Sequence, residues 1–170
     1  MIRLVTYDDL TTILAIYNDA ILTTTAIYDY RPHTLSDRKE WLDKKTAAGI
    51  PVFVFEQDGH VIGYATYGPF RDFPAYKYSA EHSIYVHKDQ RHLRVGTQLM
   101  QALMEVLNQK GYMTLIGAID ADNEASCRMH EKMGFQLVGT IEKAGYKFGR
   151  WLTLQFYRYE LKGPAMPTEE

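Results

Sequence analysis

The chain has 170 residues, 46% of them hydrophobic and 24% charged, which suits one globular domain and excludes global disorder. The formal net charge of −2 excludes a global basic field for nucleic acid, so any anion site must be built locally. Cys127 is the only cysteine, which excludes a disulfide within the chain and fits a reducing compartment.

The first half of the chain predicts a strand, two helices and a hairpin. Residues 2–5 have the pattern of a strand, and Thr6 with Asp9 resembles a capping box in front of an amphipathic helix. A second helix is predicted to begin near residues 34–36. The stretch "PVFVFEQDGHVIGYATYG" predicts a hairpin whose turn is Asp58-Gly59.

The second half predicts strands that alternate with two helices. The strand "HSIYV" precedes a helix that begins near Gly96 and ends at Gly111. "MTLIGAI" is nearly all apolar and predicts a strand buried on both faces. Asn123 can cap a short helix that ends at Gly134, and "FQLVGTI" and "WLTLQFYRYEL" predict the last two strands.

The element order predicts the fold class and the domain boundaries. The order β-α-α-β-β-β-α-β-α-β-β indicates an α/β protein with a central mixed sheet flanked by helices. We expect residues 1–162 to form one domain and residues 163–170 to be a flexible tail. The N-terminus lacks an apolar signal segment, and no stretch approaches the length of a membrane span, so we expect a soluble, cytoplasmic protein without membrane partners.

The stretch "EHSIYVHKDQRHLRVGTQLM" places a basic turn between a strand and a helix. Helix N-termini bind anions because their first amides lack partners within the helix. The turn is therefore a candidate phosphate site, although its glycines match neither a P-loop nor a dinucleotide fingerprint. By itself the turn is equally consistent with a solvated basic loop.

Two motifs in this half resemble the Gcn5-related N-acetyltransferase (GNAT) family. That family's pyrophosphate loop reads Gln/Arg-x-x-Gly-x-Gly/Ala, and "RHLRVG" fits at both ends, with Arg94 in place of the middle glycine. The second motif is an asparagine that opens the next helix, followed by "GF"; "NEASCRMHEKMGF" supplies Asn123 and Gly134-Phe135. Together these motifs predict the GNAT fold and an acetyltransferase.

Further stretches narrow the resemblance to one branch of that family. "IYNDAILTTTAIYDYRP", "YGPFRDFPAY", "EHSIYV" and "AGYKFGRW" are similar to the phosphinothricin and methionine sulfoximine N-acetyltransferases, over about residues 2–161. The resemblance implies acetyl-CoA as co-substrate. It implies as acceptor the α-amino group of a small amino acid or analogue, acetylated by direct attack in a ternary complex.

The resemblance also implies cofactor-binding residues. The strand backbone would pair with the pantetheine arm as an added strand does, and the basic turn would hold the pyrophosphate through its amides. Arg94 leaves the geometry of that turn open, because its Cβ disfavours a positive φ. Asn123 would contact the cofactor or serve only as a helix cap. The implied residues are Ile84, Tyr85, Val86, His92, Leu93, Arg94, Val95, Gly96, Thr97 and Asn123.

Two residues are implied to catalyse the reaction. Glu81 stands where the family has a general base, and it would deprotonate the amine directly or through water; the alternative is a surface ion pair. His130 occupies the place of a tyrosine that protonates the departing thiolate in many members of the wider family. Its imidazole would donate to the sulfur or form a hydrogen bond with the substrate; the alternative is a structural histidine. His82 ranks lower, because it should point to the other face of the strand from Glu81. We interpret Cys127 as a small packed residue.

The acceptor requires cations for its carboxylate and an apolar wall for its side chain. Arg71 and Lys147 are the candidate cations, and Phe73, Tyr28 and Tyr76 are the candidate wall residues; each is equally consistent with a loop surface or a dimer contact. The resemblance implies a homodimer. No histidines with metal-ligand spacing are found, and direct acyl transfer requires no metal.

Three alternatives remain open from the sequence. The first is acetylation of a peptide N-terminus or an aminoglycoside, although the cations Arg71 and Lys147 would repel an aminoglycoside. The second is a CoA-binding module without catalysis, which would need neither Glu81 nor His130. The third is a general nucleotide-binding βαβ protein, which would bind ATP or NAD rather than CoA.

Overall fold

The computed structural model describes residues 1–90 and 94–169, which form seven strands and four α-helices. The strands are β1 (Ile2–Leu4), β2 (Phe53–Gln57), β3 (His60–Pro69), β4 (Ser79–Val86), β5 (Thr114–Asp120), β6 (Gln136–Lys147) and β7 (Arg150–Glu160). The helices are α1 (Leu10–Thr23), α2 (Leu35–Ala47), α3 (Val95–Gln109) and α4 (Glu124–Lys132). Short 3₁₀ helices span Tyr7–Asp9, Pro74–Tyr76 and Lys88–Gln90. The predicted order of strands and helices is confirmed.

The strands form a mixed sheet in the order β1-β2-β3-β4-β5-β7-β6. β4 and β5 are parallel, whereas β1–β2, β2–β3, β5–β7 and β7–β6 are antiparallel pairs. A parallel pair requires a crossover connection, which α3 provides between β4 and β5. The predicted mixed α/β sheet is therefore confirmed.

Short polar motifs determine where several elements begin and end. Thr34 caps α2: its Oγ1 accepts a hydrogen bond from the amide of Asp37, whose carboxylate accepts one from the Thr34 amide. At the β2–β3 turn Asp58 and Gly59 have φ of 52° and 78°. Because a two-residue type I′ turn needs positive φ at both positions, this dipeptide suits the hairpin that it was predicted to form.

One compact unit comprises Met1–Tyr67 and Ser83–Ala102. Its core packs α1 and α2 against β2 and β3, through Leu10, Ile13, Ile16, Leu42, Val52, Val54 and Tyr64. On β3 the neighbouring Gly63 faces the other way, and a Cβ there would lie 3.1 Å from Cγ1 of Val95. Since successive strand residues face opposite ways, α3 begins on the face of β3 opposite α1 and α2.

The other compact unit comprises Gly68–His82 and the chain from Leu103 onward. In this unit the buried residues Cys127 and His130 of α4 contact β5 and β7. Gly134, at the end of α4, has φ of 91°, which agrees with the predicted glycine stop. Thr168, in the tail, accepts and donates hydrogen bonds with the hydroxyl of Tyr78.

The last hairpin differs from its prediction. β6 was expected to end near Ile141 but continues to Lys147, with a register irregularity between Ile141 and Gly145. Lys143 has φ of 54° within that irregularity, and the bulged strand then resumes pairing with β7. Across residues 1–90 and 94–169, every helix is too short or too polar to span a bilayer.

Candidate active site

β4 carries Glu81 and His82 on opposite faces. Ala80 and His82 are buried, whereas Glu81 is half-buried, as the alternation of a strand requires. β4 pairs with β5 over Ser79–Glu81 and Thr114–Ile116, although β4 itself continues to Val86. Glu81 is therefore the last residue of β4 that pairs with β5 in this register.

The carboxyl group of Glu81 is half-buried, and this burial changes its pKa. Burial raises its pKa above the ordinary glutamate value, and the positive charge of Arg71 partly opposes that rise. A carboxylate with a raised pKa accepts a proton more readily from a substrate group near neutral pH.

Arg71 lies in the segment between β3 and β4 and is held by its own neighbour Phe70. Its Nη1 donates to the carbonyl of Phe70 at 2.7 Å, and its guanidinium lies 4.1 Å from the centroid of the Phe70 ring. Tyr76 packs edge-on against that ring, while Phe73 is 76% exposed. The segment thus presents a cation near Glu81, together with an exposed aromatic side chain.

His82 and His130 form a buried hydrogen-bonded pair. Their Nε2 atoms are 2.8 Å apart, and the two rings stack with an interplanar angle of 18°. Nδ1 of His130 lies 2.7 Å from the carbonyl of Ser126. A carbonyl can only accept, so Nδ1 of neutral His130 carries the proton and its Nε2 accepts from Nε2–H of His82.

The remaining nitrogen of the pair agrees with this proton arrangement. Nδ1 of His82 is buried and has no hydrogen-bond partner among the described residues, which is tolerable for a lone pair but costly for an N–H. Burial lowers the pKa of both imidazoles, that of His82 to about 3, so both are neutral near pH 7. His130 thus has an acceptor rather than a donor at Nε2, and protonation of a thiolate from that atom would first require protonation of the pair.

Gly117 of β5 makes room for the two imidazoles. A Cβ on Gly117 would lie 2.6 Å from Nε2 of His82 and 3.0 Å from Nε2 of His130. From the sequence, this glycine is predicted only as part of a buried strand. A glycine inside a strand often marks a close approach, and that was the available signal for the pair.

Residues at the start of α4 have structural partners. Oδ1 of Asn123 accepts from the amide of Ser126 at 3.3 Å, which is a helix cap. Cys127 is buried, with its Sγ 3.6 Å from Oε1 of Gln155, as a small packed residue would be. The cap uses the side-chain oxygen of Asn123, so any cofactor contact would use the amide nitrogen or add a second bond to the oxygen.

The turn before α3 is described from Arg94 onward. Arg94 is exposed and has φ of 54°, although its Cβ disfavours that conformation. Val95 is buried, and Gly96 and Thr97 are half-buried. The predicted cofactor residues His92 and Leu93 lie outside the described residues. Arg94 thus adopts the left-handed backbone that suits the glycine of the loop pattern.

Lys147 ends β6 rather than lying in an extended loop. It pairs with Arg150 across a two-residue turn, and its side chain is only 5% exposed. Its Nζ is 5.0 Å from the centroid of the Phe148 ring. Trp151 is 60% exposed, and its ring packs edge-on against that of Tyr146, with centroids 5.2 Å apart. Tyr28 is partly exposed in the unit formed by Met1–Tyr67 and Ser83–Ala102.

Within the described ranges, no three His, Cys, Asp or Glu side chains come together as a metal site would need. The structure brings His130 to His82, and it places the charge of Arg71 close enough to act on Glu81. The pairing of His82 with His130 was missed, because strand alternation predicts the face of a residue and not its partner.

Comparison with known proteins gives a consistent result. A family model described as "Acetyltransferase (GNAT) domain" matches residues 2–153. An L-methionine sulfoximine/L-methionine sulfone acetyltransferase of Pseudomonas paraeruginosa is 43% identical over 154 residues, which cover 90% of each chain.

Two solved structures are similar over nearly all of the chain. A GNAT superfamily phosphinothricin acetyltransferase of Sinorhizobium meliloti in complex with acetyl-CoA has a TM-score of 0.93 and 30% identity, covering 98% of this chain and 91% of its own. A ribosomal-protein-alanine N-acetyltransferase of Brucella melitensis has a TM-score of 0.92 and 42% identity, covering 95% of this chain and 99% of its own.

Proposed function

The chain belongs to the GNAT family of acetyltransferases, and we propose that its acceptor is the α-amino group of a small free amino acid or analogue. It is an N-acetyltransferase that uses acetyl-CoA. The acceptor class that we propose is the methionine sulfoximine, methionine sulfone and phosphinothricin type, after the names of the relatives. The observation that carries this proposal is the 43% identity, over 90% of each chain, to the methionine sulfoximine/sulfone acetyltransferase; the half-buried Glu81 on β4 supports it.

A base and a cation suit the two charged groups of an α-amino acid. The ammonium must lose a proton before its nitrogen can attack, because a protonated amine has no lone pair. Glu81, with its raised pKa, accepts that proton directly or through water. Arg71 offers its guanidinium to the carboxylate, which an arginine can bind with two parallel hydrogen bonds.

The described residues fit acetyl-CoA. β4 continues through residues 82–86, past the three residues that pair with β5. The backbone of this part of β4 can therefore take an amide-bearing ligand as an added strand. The left-handed Arg94 precedes the first amides of α3, which suit a phosphate. When bound, acetyl-CoA supplies an acetyl group on a thioester, and backbone amides near β4 would polarise its carbonyl.

The other site residues stay predictions. Lys147 is a second cation for the acceptor's carboxylate, and Phe73, Tyr76 and Tyr28 are proposed as walls for its side chain. Asn123 and residues Ile84, Tyr85 and Val86 are proposed to bind the cofactor, together with the turn that contains Arg94. We assign general-base catalysis to Glu81, and the proton-donor role proposed for His130 requires that the histidine pair first gains a proton. We treat residues 1–162 as one catalytic domain.

A comparison of acceptors tests the proposed function. Acetyl-CoA-dependent turnover would be measured on methionine sulfoximine, methionine sulfone, phosphinothricin, a peptide with an N-terminal alanine, and an aminoglycoside. We expect kcat/KM on the free amino acid analogues to exceed that on the peptide by at least about 100-fold, because a site built for a carboxylate rejects an acceptor that lacks it. Activity confined to the peptide or the aminoglycoside would overturn the acceptor class.

The similarity to a ribosomal-protein-alanine N-acetyltransferase makes peptide acetylation the second candidate. A peptide N-terminus has an amide where a free amino acid has a carboxylate. Arg71→Gln therefore separates the two candidates: it should raise KM for a free amino acid by about 10-fold or more and leave KM for a peptide unchanged.

We also propose that the protein is a cytoplasmic homodimer. β6 and its turn to β7 expose large apolar side chains, namely Leu137, Val138, Ile141, Tyr146, Phe148 and Trp151. An exposed apolar patch at a sheet edge is typical of an interface. The free thiol of the buried Cys127 fits a reducing compartment.

A further inference from the structure

The proposed reaction gives His82 no role, although His82 makes a specific buried contact. A side chain that served only to fill the space beside Gly117 would be apolar, because a buried nitrogen without a partner is unfavourable. The chain instead keeps an imidazole whose Nε2 is hydrogen-bonded, whereas its Nδ1 has no partner within residues 1–90 and 94–169. The polar contact with His130 is thus the feature that an apolar residue could not supply.

The contact joins two elements on which the reaction depends. His82 follows Glu81 directly on β4, and His130 lies on α4, whose first turn Asn123 caps. His130 is fixed at its other nitrogen by the carbonyl of Ser126, one turn earlier in the same helix. Both ring nitrogens of His130 are therefore engaged in hydrogen bonds.

We propose that His82 is a positioning residue for the acetyl transfer: its Nε2–H keeps the Nε2 lone pair of His130 in place and fixes α4 to β4 beside Glu81. The inference rests on the proposed function for its effect on turnover, but not for its effect on His130. It assigns His82 no contact with acceptor or cofactor.

The rings of His82 and His130 contact neutral groups, and burial is the main cause of the lowered His130 pKa. His130 faces Ser126 on its own helix, His82 on β4, and the rings of Phe135 and Tyr157. Tyr157 is neutral near pH 7, because burial raises its pKa, and Glu131 accepts a hydrogen bond from its hydroxyl. His82 faces His130, Phe135 and Gly117. No other described contact of either ring is with a charged group.

Two substitutions of similar size separate the hydrogen bond from the packing. His82→Gln keeps an N–H donor at a similar reach, whereas His82→Met fills the space without a donor. Without the donor, the neutral form of His130 loses stabilisation, so its proton affinity should rise by about tenfold or more. His82→Gln should keep His130 close to its wild-type behaviour.

Nitrogen-15 NMR of the imidazoles, without substrate, reads this effect directly. Between about pH 8 and pH 5, a range that spans the ordinary histidine pKa, Nε2 of His130 should stay unprotonated in the wild type and in His82→Gln. It should become protonated on acidification in His82→Met. Titration of His130 at the same pH in all three proteins would overturn the proposal.

Kinetics test whether the position matters for the reaction. His82→Met should lower kcat by about 10-fold or more, with KM for acetyl-CoA unchanged, and His82→Gln should restore kcat to within about threefold. A changed NMR titration with unchanged kcat would also overturn the positioning role. If the wild type acetylated none of the acceptors, the proposed function would fail. The NMR comparison would still show whether His82 controls the protonation of His130.

Gly117→Ala is the second variant if His82→Met fails to fold, as circular dichroism would show. The added Cβ would approach both Nε2 atoms, so it would disturb the same hydrogen bond while keeping both imidazoles. The same rise in His130 proton affinity is expected. A wild-type titration in a folded Gly117→Ala protein would count against the proposal.

Discussion

Arg94 has a backbone conformation that glycine adopts at much lower cost. Its φ of 54° costs an L-residue roughly 1 kcal/mol, since the Cβ approaches the following carbonyl. Arg94→Gly should therefore raise the free energy of unfolding by up to about 1 kcal/mol, less the extra entropy that glycine has in the unfolded chain. Urea unfolding measures this change.

Arg94→Ala is the matched control, because it keeps the Cβ and removes the guanidinium. Its stability should stay close to that of the wild type. A rise in KM for acetyl-CoA that is shared by both variants would assign the arginine a contact with the cofactor. If Arg94→Gly were no more stable than Arg94→Ala, the left-handed backbone would carry no strain.

Glu81 is the residue whose replacement tests the chemistry. Glu81→Gln keeps the shape of the side chain but removes the base, so kcat should fall by about 10²–10⁴-fold, with KM for acetyl-CoA nearly unchanged. In the wild type, kcat/KM should fall as the pH drops through the raised pKa of Glu81, because the protonated form cannot accept a proton. Turnover by Glu81→Gln at the wild-type rate would leave Glu81 no catalytic role.

At the scale of the element, α4 depends on its cap. Asn123→Ala removes the acceptor for the Ser126 amide and should lower the free energy of unfolding by about 1 kcal/mol. Asn123→Ser keeps a capping oxygen and should retain most of that stability. If Asn123 also binds the cofactor, both variants will raise KM for acetyl-CoA. A wild-type KM in Asn123→Ser would reduce the role of Asn123 to the cap.

The elements were predictable where their signals are local. Thr34, the Asp58-Gly59 turn, Asn123 and Gly134 each act within a few residues, and the order of strands and helices followed from such signals. β6 was predicted too short because a bulge lets it continue past Ile141, and the polar stretch there is typical of a strand end.

Within the candidate site, the sequence could indicate single residues but not most of their partners. Strand alternation separated Glu81 from His82. It contained nothing about His130, which is 48 positions away in the chain and reaches His82 only through the packing of α4. The desolvation that raises the Glu81 pKa is likewise a property of the folded surroundings, which composition and spacing do not specify.

At the scale of the whole molecule, the stability should depend on pH through the buried histidines. Both have lowered pKa values in the folded state, so the unfolded chain binds more protons below its ordinary histidine pKa of about 6.5. Stability is then fully present above that pH and falls as the pH drops below it, by up to about 1.4 kcal/mol per pH unit for each histidine.

Urea unfolding at about pH 7.5 and pH 5.5, on either side of that pKa, measures the loss of stability. His82→Gln is the control, because it removes one of the two titrating groups and should make the loss smaller. An equal loss in the variant and the wild type would mean that other groups dominate the pH dependence.

The exposed apolar residues of β6 and β7 predict self-association. Trp151→Lys should convert the proposed dimer to a monomer in sedimentation velocity, because a charge in an apolar interface is costly to desolvate. Leu22→Lys is the control, since Leu22 on α1 is 53% exposed against 60% for Trp151 and is outside the β6–β7 patch. A monomeric wild type, or a dimer that survives Trp151→Lys, would contradict the interface.

Because Gly117 has no side chain, the residues that position 117 can accept depend on the residue at position 82. The imidazole at 82 fits because position 117 ends at its Cα, and a larger residue at 117 would meet both rings. The two positions should therefore show epistasis: a side chain at 117 should destabilise the fold less where position 82 carries something smaller than histidine. Selection on one strand would in this way limit the residues available to its neighbour.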